Sequence, residues 1–383
     1  MSEIKMVRGS RAPSNVYTDF SGQTAAAVRA FHGTVPGYAP TPLHAVQEAA
    51  ALLVKDESFR FGLNAFKALG GSYAMACLLA EKLSCPLDFA AIRARMAQPG
   101  AEQMTFVTAT NGNHGRGVAW AAKMLGQKAV VRMPKGSTRE RLEHIRALGA
   151  DAAITDVNYD DTVRLCAGMA EENGWYLIQD TAWDGYEEIP LHIMQGYMTM
   201  AAEAWEQMGE QMPTHIFLQA GVGSMAAAQT AFFRSLPGGD RPVICLVEPD
   251  RADCLFRSAG AGALRTVTGD MDSIMAGLCC GEPCTLAWDI LKAEGDAFFS
   301  CPDWLAAEGI RLLARHGIVS GESGAPGAGL VHRLLTDPAL AEMKQAIGLT
   351  EQARVLLFST EGDTDRTRYQ EILQGAWPAP EQK

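Results

Sequence analysis

The chain has 383 residues, 48% hydrophobic and 20% charged, with 38 glycines and 18 prolines. That is enough to bury a large core, divided between two domains, and it carries no compositional mark of disorder. A net charge of −11 argues against nucleic acid or an anionic membrane as the main partner, while leaving room for a local phosphate pocket.

Along the chain, Met1 to Ser14 is polar with no apolar core region, unlike a signal peptide. No run approaches the roughly 18 apolar residues of a membrane helix. Helices are predicted over Pro42 to Ala51, Ser72 to Leu83 and Leu87 to Ala97. Thr105 to Ala109 is strand-like and enters a glycine turn, with helical spacing resuming over Val118 to Leu125. Ala129 to Met133 is a short buried strand, Thr138 to Leu148 a charged helix ending at Gly149, and Ala152 to Thr155 the next strand. Further strands fall at Tyr176 to Ile178, Ile216 to Gln219, Val243 to Val247 and Val355 to Phe358, and Trp377 to Lys383 reads as a loose tail. Strands alternating with helices of about 10–15 residues give an α/β fold with a doubly wound parallel sheet, whose ligands sit beyond the strand carboxyl ends. Nine cysteines at irregular spacing, with Cys279, Cys280 and Cys284 close together but no His nearby, point to reduced buried thiols in a cytoplasmic enzyme rather than a metal site.

Several segments carry chemistry. Lys67 stands behind Phe66 and just ahead of Gly70-Gly71, in weakly polar surroundings. Desolvation disfavours an ammonium, so such an amine can be neutral and attack an aldehyde, although a lysine at a helix start is also commonly exposed. Gly221-Val222-Gly223-Ser224-Met225 follows a strand and opens an alanine-rich helix. Its amides, with the Ser224 hydroxyl, suit a single phosphate, and it lacks the lysine of a P-loop and the third glycine of a dinucleotide fingerprint. Thr110, Asn111, Gly112, Asn113 and His114 form a second loop able to hold a small carboxylate, or simply a cap and turn. Asp180, after a strand and beside Trp183, is either an active-site acid or a helix cap. Glu322 and Ser323 lie in a loop that is either solvated or near the site.

Taken together, the stretches FGLNAFKALGGSYA, GNHGRGVAWAA, QDTAWDGYEEIP, SIMAGLCCGEP, SGESGA and FSTEGDTD, running from Phe61 to Asp365, resemble the pyridoxal-phosphate enzymes of the tryptophan-synthase-β type, and within them the diaminopropionate ammonia-lyases. The resemblance implies fold type II: two doubly wound domains, 1–80 with 200–383 holding the cofactor and 81–199 on the substrate side, with the active site between them. It implies pyridoxal 5'-phosphate bound as a Schiff base to Lys67, which later acts as base or acid. Phe66 would pack against the ring, Asn113 would meet the ring oxygen, Gly221, Val222, Gly223, Ser224 and Met225 would cradle the phosphate, and Ser359 or Thr360 would meet the pyridine nitrogen. Asp180 would be a second catalytic group or an amine binder. Thr110, Asn111, Gly112, His114, Glu322 and Ser323 would face the substrate, with Glu322 near the ring oxygen or orienting Lys67. The implied reaction is α,β-elimination of a β-substituted amino acid, 2,3-diaminopropionate to pyruvate and ammonia, by a homodimer needing no metal for the chemistry. The alternatives are a lyase of the same fold acting on serine, threonine or hydroxyaspartate, and a β-replacement synthase. One position departs from the family pattern, which has an aspartate taking the α-proton of the D-isomer where this chain has Asn111. An amide accepts no proton at neutral pH, so weak activity on the D-isomer, or a different substrate, is expected.

Overall fold

The computed structural model describes residues 3–10, 18–238, 241–375 and 377. Its strands are β1 (Lys5–Arg8), β2 (Leu43–Gln47), β3 (Ala51–Asp56), β4 (Thr105–Ala109), β5 (Lys128–Met133), β6 (Asp151–Ile154), β7 (Tyr176–Leu177), β8 (His215–Gln219), β9 (Val243–Pro249), β10 (Ala297–Cys301) and β11 (Arg354–Ser359). They form a seven-stranded sheet, ordered β1-β10-β9-β8-β11-β3-β2, and a four-stranded sheet, ordered β6-β5-β4-β7. The smaller sheet is wholly parallel, and the larger is parallel except at its edges, where β1 and β2 run antiparallel to their neighbours. Parallel sheets need both faces covered, and β8 accordingly reads His-Ile-Phe-Leu-Gln with every residue buried. Among the described residues no helix is long and apolar enough to cross a membrane.

Two of the sequence expectations change here. Pro42 to Ala51 is not a helix: Leu43–Gln47 pairs antiparallel with β3, from Leu43 opposite Lys55 to Gln47 opposite Ala51. Its Leu, Ala, Gln and Glu are good helix formers, and pairing along β3 with Val46 buried overrides that local preference. The helix after β4 begins at Asn113, so Asn113 and His114 belong to its first turn rather than to a loop before Val118. The Thr110 hydroxyl accepts from the amides of Gly112 and Gly115, both at 2.9 Å, and folds the chain into that helix. Of the expected tail only Trp377 lies within the described residues, and it is packed, with its ring 5.1 Å from the Arg368 guanidinium carbon and its carbonyl accepting from Arg311.

Two features seat the approach to Lys67. The first is a buried charge cluster that joins β3, the turn after it and the helix Glu188–Gln207. Arg60 pairs with Glu57 and with Glu203 at 2.8 Å each, and Lys55 pairs with Glu203 at 2.6 Å. It clamps a segment in which Phe61 (φ 51°) and Asn64 (φ 58°) are left-handed without being glycine, at a cost of about 1–2 kcal/mol each. Asn64 is also tied at its side chain to Asp363 and at its carbonyl to the Gly362 amide, both 3.0 Å.

The second feature is a pair of close glycine contacts against the helix Ala68–Lys82. A Cβ on Gly117, in the helix Asn113–Leu125, would stand 2.8 Å from the Ala68 nitrogen and 2.9 Å from the Lys67 carbonyl carbon. One on Gly196, in the helix Glu188–Gln207, would stand 2.6 Å from the Leu69 oxygen. Backbone meets backbone on both sides of the lysine.

Candidate active site

The carboxyl ends of β4, β7, β8 and β11 converge on one cavity, as expected for ligand sites in open parallel sheets. Lys67 enters at the start of the helix Ala68–Lys82, residues 110–114 follow β4, Asp180 follows β7, Gln219 ends β8 and residues 220–226 follow it, and Thr360 and Glu361 follow β11.

Lys67 Nζ forms an ion pair with Asp180. The ammonium also lies 5.2 Å from the centre of the Phe66 ring and 5.6 Å from that of Tyr197. The expectation of a neutral lysine is corrected here. Burial works against its charge, but the Asp180 carboxylate outweighs it and holds the Lys67 pKa above its ordinary value. Burial likewise works against Asp180, and the neighbouring His114 and Lys67 bring it down to about 2. Asp180 is no helix cap, since the following helix begins only at Glu188. His114 is buried and held below its usual pKa by desolvation. Its Nε2 donates to the Ile178 carbonyl at 2.8 Å, and its Nδ1 lies 3.9 Å from Asp180.

On the opposite side, Gly221, Val222, Gly223, Ser224 and Met225 all line the cavity. Gly223 takes φ +101°, a conformation that favours glycine, and it begins the helix Ser224–Ser235 without a side-chain cap. The first amides of that helix, left without a side-chain cap, are the donors that the sequence offers to an anion. The Ser224 hydroxyl is not one of them, because it donates to the Asp180 carbonyl at 2.5 Å and so links the two walls.

Other expected residues divide. Phe66, Thr110, Asn111, Gly112, Asn113, Ser323 and Thr360 line the cavity. Ser359 does not; its hydroxyl donates to Ser320 at 2.8 Å, leaving Thr360 as the hydroxyl at the end of β11. Glu322 also lies outside, facing an adjoining cavity, because the loop turns Ser323 inward instead. Asn113 donates its side-chain amide to Glu361, which also accepts from the Ser323 amide at 2.9 Å and the Thr364 hydroxyl at 3.2 Å.

Arg141, Tyr159, Gln219, Cys280 and Glu361 line the site without having been singled out. Cys280 and Glu361 sit inside the stretches SIMAGLCCGEP and FSTEGDTD, so a signal existed for them. Arg141 lies in a charged helix with nothing local to mark it.

A lysine, an uncapped glycine-rich helix start, a neutral hydroxyl and a flanking aromatic ring make a donor set that fits pyridoxal phosphate: amine for aldehyde, amides for phosphate, hydroxyl for ring nitrogen. Comparisons with known proteins agree. The family model of the pyridoxal-phosphate dependent enzymes matches residues 35–350. The diaminopropionate ammonia-lyase of Salmonella typhimurium is 50% identical over 373 residues, covering 92% of each chain. Two crystal structures of the Escherichia coli diaminopropionate ammonia lyase, one in complex with D-serine and one with an aminoacrylate-PLP azomethine reaction intermediate, superpose with TM-scores of 0.91 and 0.90. Each is 45% identical and covers 98% of this chain and 97% of the other.

Proposed function

The chain belongs to the diaminopropionate ammonia-lyases, pyridoxal-phosphate-dependent enzymes of fold type II, and we propose that it converts 2,3-diaminopropionate and water to pyruvate and two ammonia by α,β-elimination. The observation that carries this reading is the Lys67–Asp180 ion pair facing an uncapped, glycine-built helix start across one cavity.

Pyridoxal phosphate, when bound, supplies an electron-withdrawing ring that acidifies the substrate's α-proton. The residues divide the remaining work. Gly221 to Met225 hold the phosphate through backbone amides, Phe66 covers the ring, and Thr360 offers the pyridine nitrogen a neutral hydroxyl. Asn113, braced by Glu361, meets the ring oxygen. Lys67 is the base. With Asp180 held near 2 and Lys67 above its ordinary value, a proton reaching the pair rests on Lys67 Nζ, and the Asp180 carboxylate stabilises the resulting ammonium. Thr110, Asn111, Gly112 and His114, at the start of the helix Asn113–Leu125, receive the substrate carboxylate. The protein acts as a cytoplasmic homodimer, a state that analytical ultracentrifugation checks.

The test is a panel of β-substituted amino acids with keto-acid and ammonia detection. L-2,3-diaminopropionate should give one pyruvate for two ammonia; serine or threonine as the far better substrate would overturn the reading. Asn111 accepts no proton, so the D-isomer should turn over at least about 10-fold more slowly than the L-isomer, and equal rates would remove Asn111 as the reason.

A further inference from the structure

Beside the active site lies a second cavity, which shares Asn111, Arg141 and Tyr159 with the first. Glu322 faces it. That residue is only 1% exposed, and its Oε2 has no hydrogen-bond partner among the described residues. A buried carboxyl oxygen left unpaired is costly, and a cation brought beside it would remove that cost. Lys135, Arg141 and Arg368 line the same cavity, together with Asp270, Asp272 and Asp365.

We propose that this side cavity is the vestibule in which a diamino acid is selected, with Glu322 recognising the ammonium on the β-carbon and Arg141 receiving the carboxylate. The inference rests on the diaminopropionate reading above and adds to it a residue that discriminates a β-ammonium from an uncharged β-substituent. Arg141 spans the junction: it lines both cavities, and its Nη1 donates to the Asn111 carbonyl at 3.5 Å. A carboxylate held there is handed toward residues 110–114. Burial and then the Glu361 carboxylate raise Glu322 to about 7, with Arg141 opposing and Asp365 adding to the rise. An arriving ammonium restores its charge.

The experiment compares holoenzyme carrying Glu322, Glu322→Gln or Glu322→Asp. It measures kcat and KM for L-2,3-diaminopropionate and for β-chloroalanine, whose β-substituent is uncharged. The ratio of the two kcat/KM values should fall about 10- to 100-fold in Glu322→Gln, the size of one lost charge-assisted hydrogen bond, with most of the change in KM and a partial return in Glu322→Asp. Proportional loss on both substrates, or an unchanged ratio, overturns the assignment of Glu322 while leaving the diaminopropionate reading intact. Should the glutamine variant not fold, the aspartate variant decides by the same ratio: a fall supports the assignment and an unchanged ratio overturns it. A wild-type enzyme that processes β-chloroalanine but releases no pyruvate from diaminopropionate overturns both.

Discussion

Lys67 and Asp180 form an ion pair where little water reaches, and the arrangement leaves the proton on the lysine. Removing the amine in Lys67→Ala should lower kcat by at least about 1,000-fold and abolish the absorbance of the cofactor–lysine linkage. Asp180→Asn is more discriminating. It takes away the charge that raises Lys67, so the lysine pKa falls, and the acid limb of the kcat–pH profile should move to lower pH while kcat drops about 100-fold. An acid limb that stays in place would show that Asp180 does not set the lysine's basicity.

The helices and strands that carry these residues differ in how openly the sequence announces them. The close approach of the helix Asn113–Leu125 to Lys67 depends on Gly117, and Gly117→Ala should push the lysine off its position and cost about 100-fold in kcat with the fold retained by circular dichroism. Thr105–Ala109 and Ile216–Gln219 were legible because an apolar run meets glycine and polar turn residues at its end, and Lys67 and the Gly221 loop were legible through the company they keep. The hairpin β2–β3 was not, since its residues favour a helix until β11 supplies a neighbour for β3. Strand β10, Ala-Phe-Phe-Ser-Cys, carries no alternation to betray it because both its faces are covered. Arg141 and Tyr159 reach the site from a helix between β5 and β6 and from the start of the helix Tyr159–Asn173, and only tertiary packing brings them there. The inward turn of Ser323 in place of Glu322 is decided in the same way, by the hydrogen bond that the Ser323 amide donates to Glu361.

For the molecule as a whole, buried charge sets the response to acid. Asp180 and Glu203 are each held down to about 2, Asp180 against its burial by His114 and Lys67, Glu203 against its burial by Arg60 and Lys55. Carboxylates lowered on folding contribute stability above their unfolded pKa, and it is lost as pH falls through the folded value. Glu322, raised to about 7, acts in the opposite sense, but only above the ordinary glutamate range; below about pH 4 it is protonated folded or unfolded. Resistance to urea should therefore fall steeply between pH 4 and 2, by on the order of 2 kcal/mol from each of the two lowered groups, and a flat profile there would refute the assignment. The glycine contacts around Lys67 have a consequence for laboratory evolution. A side chain at position 117 or 196 would have to displace the backbone beside Lys67, whereas Asn111, Arg141 and Glu322 border open space. A library confined to those three changes which amino acid is admitted without displacing the lysine that acts on it, so substrate range and reaction type can be varied separately.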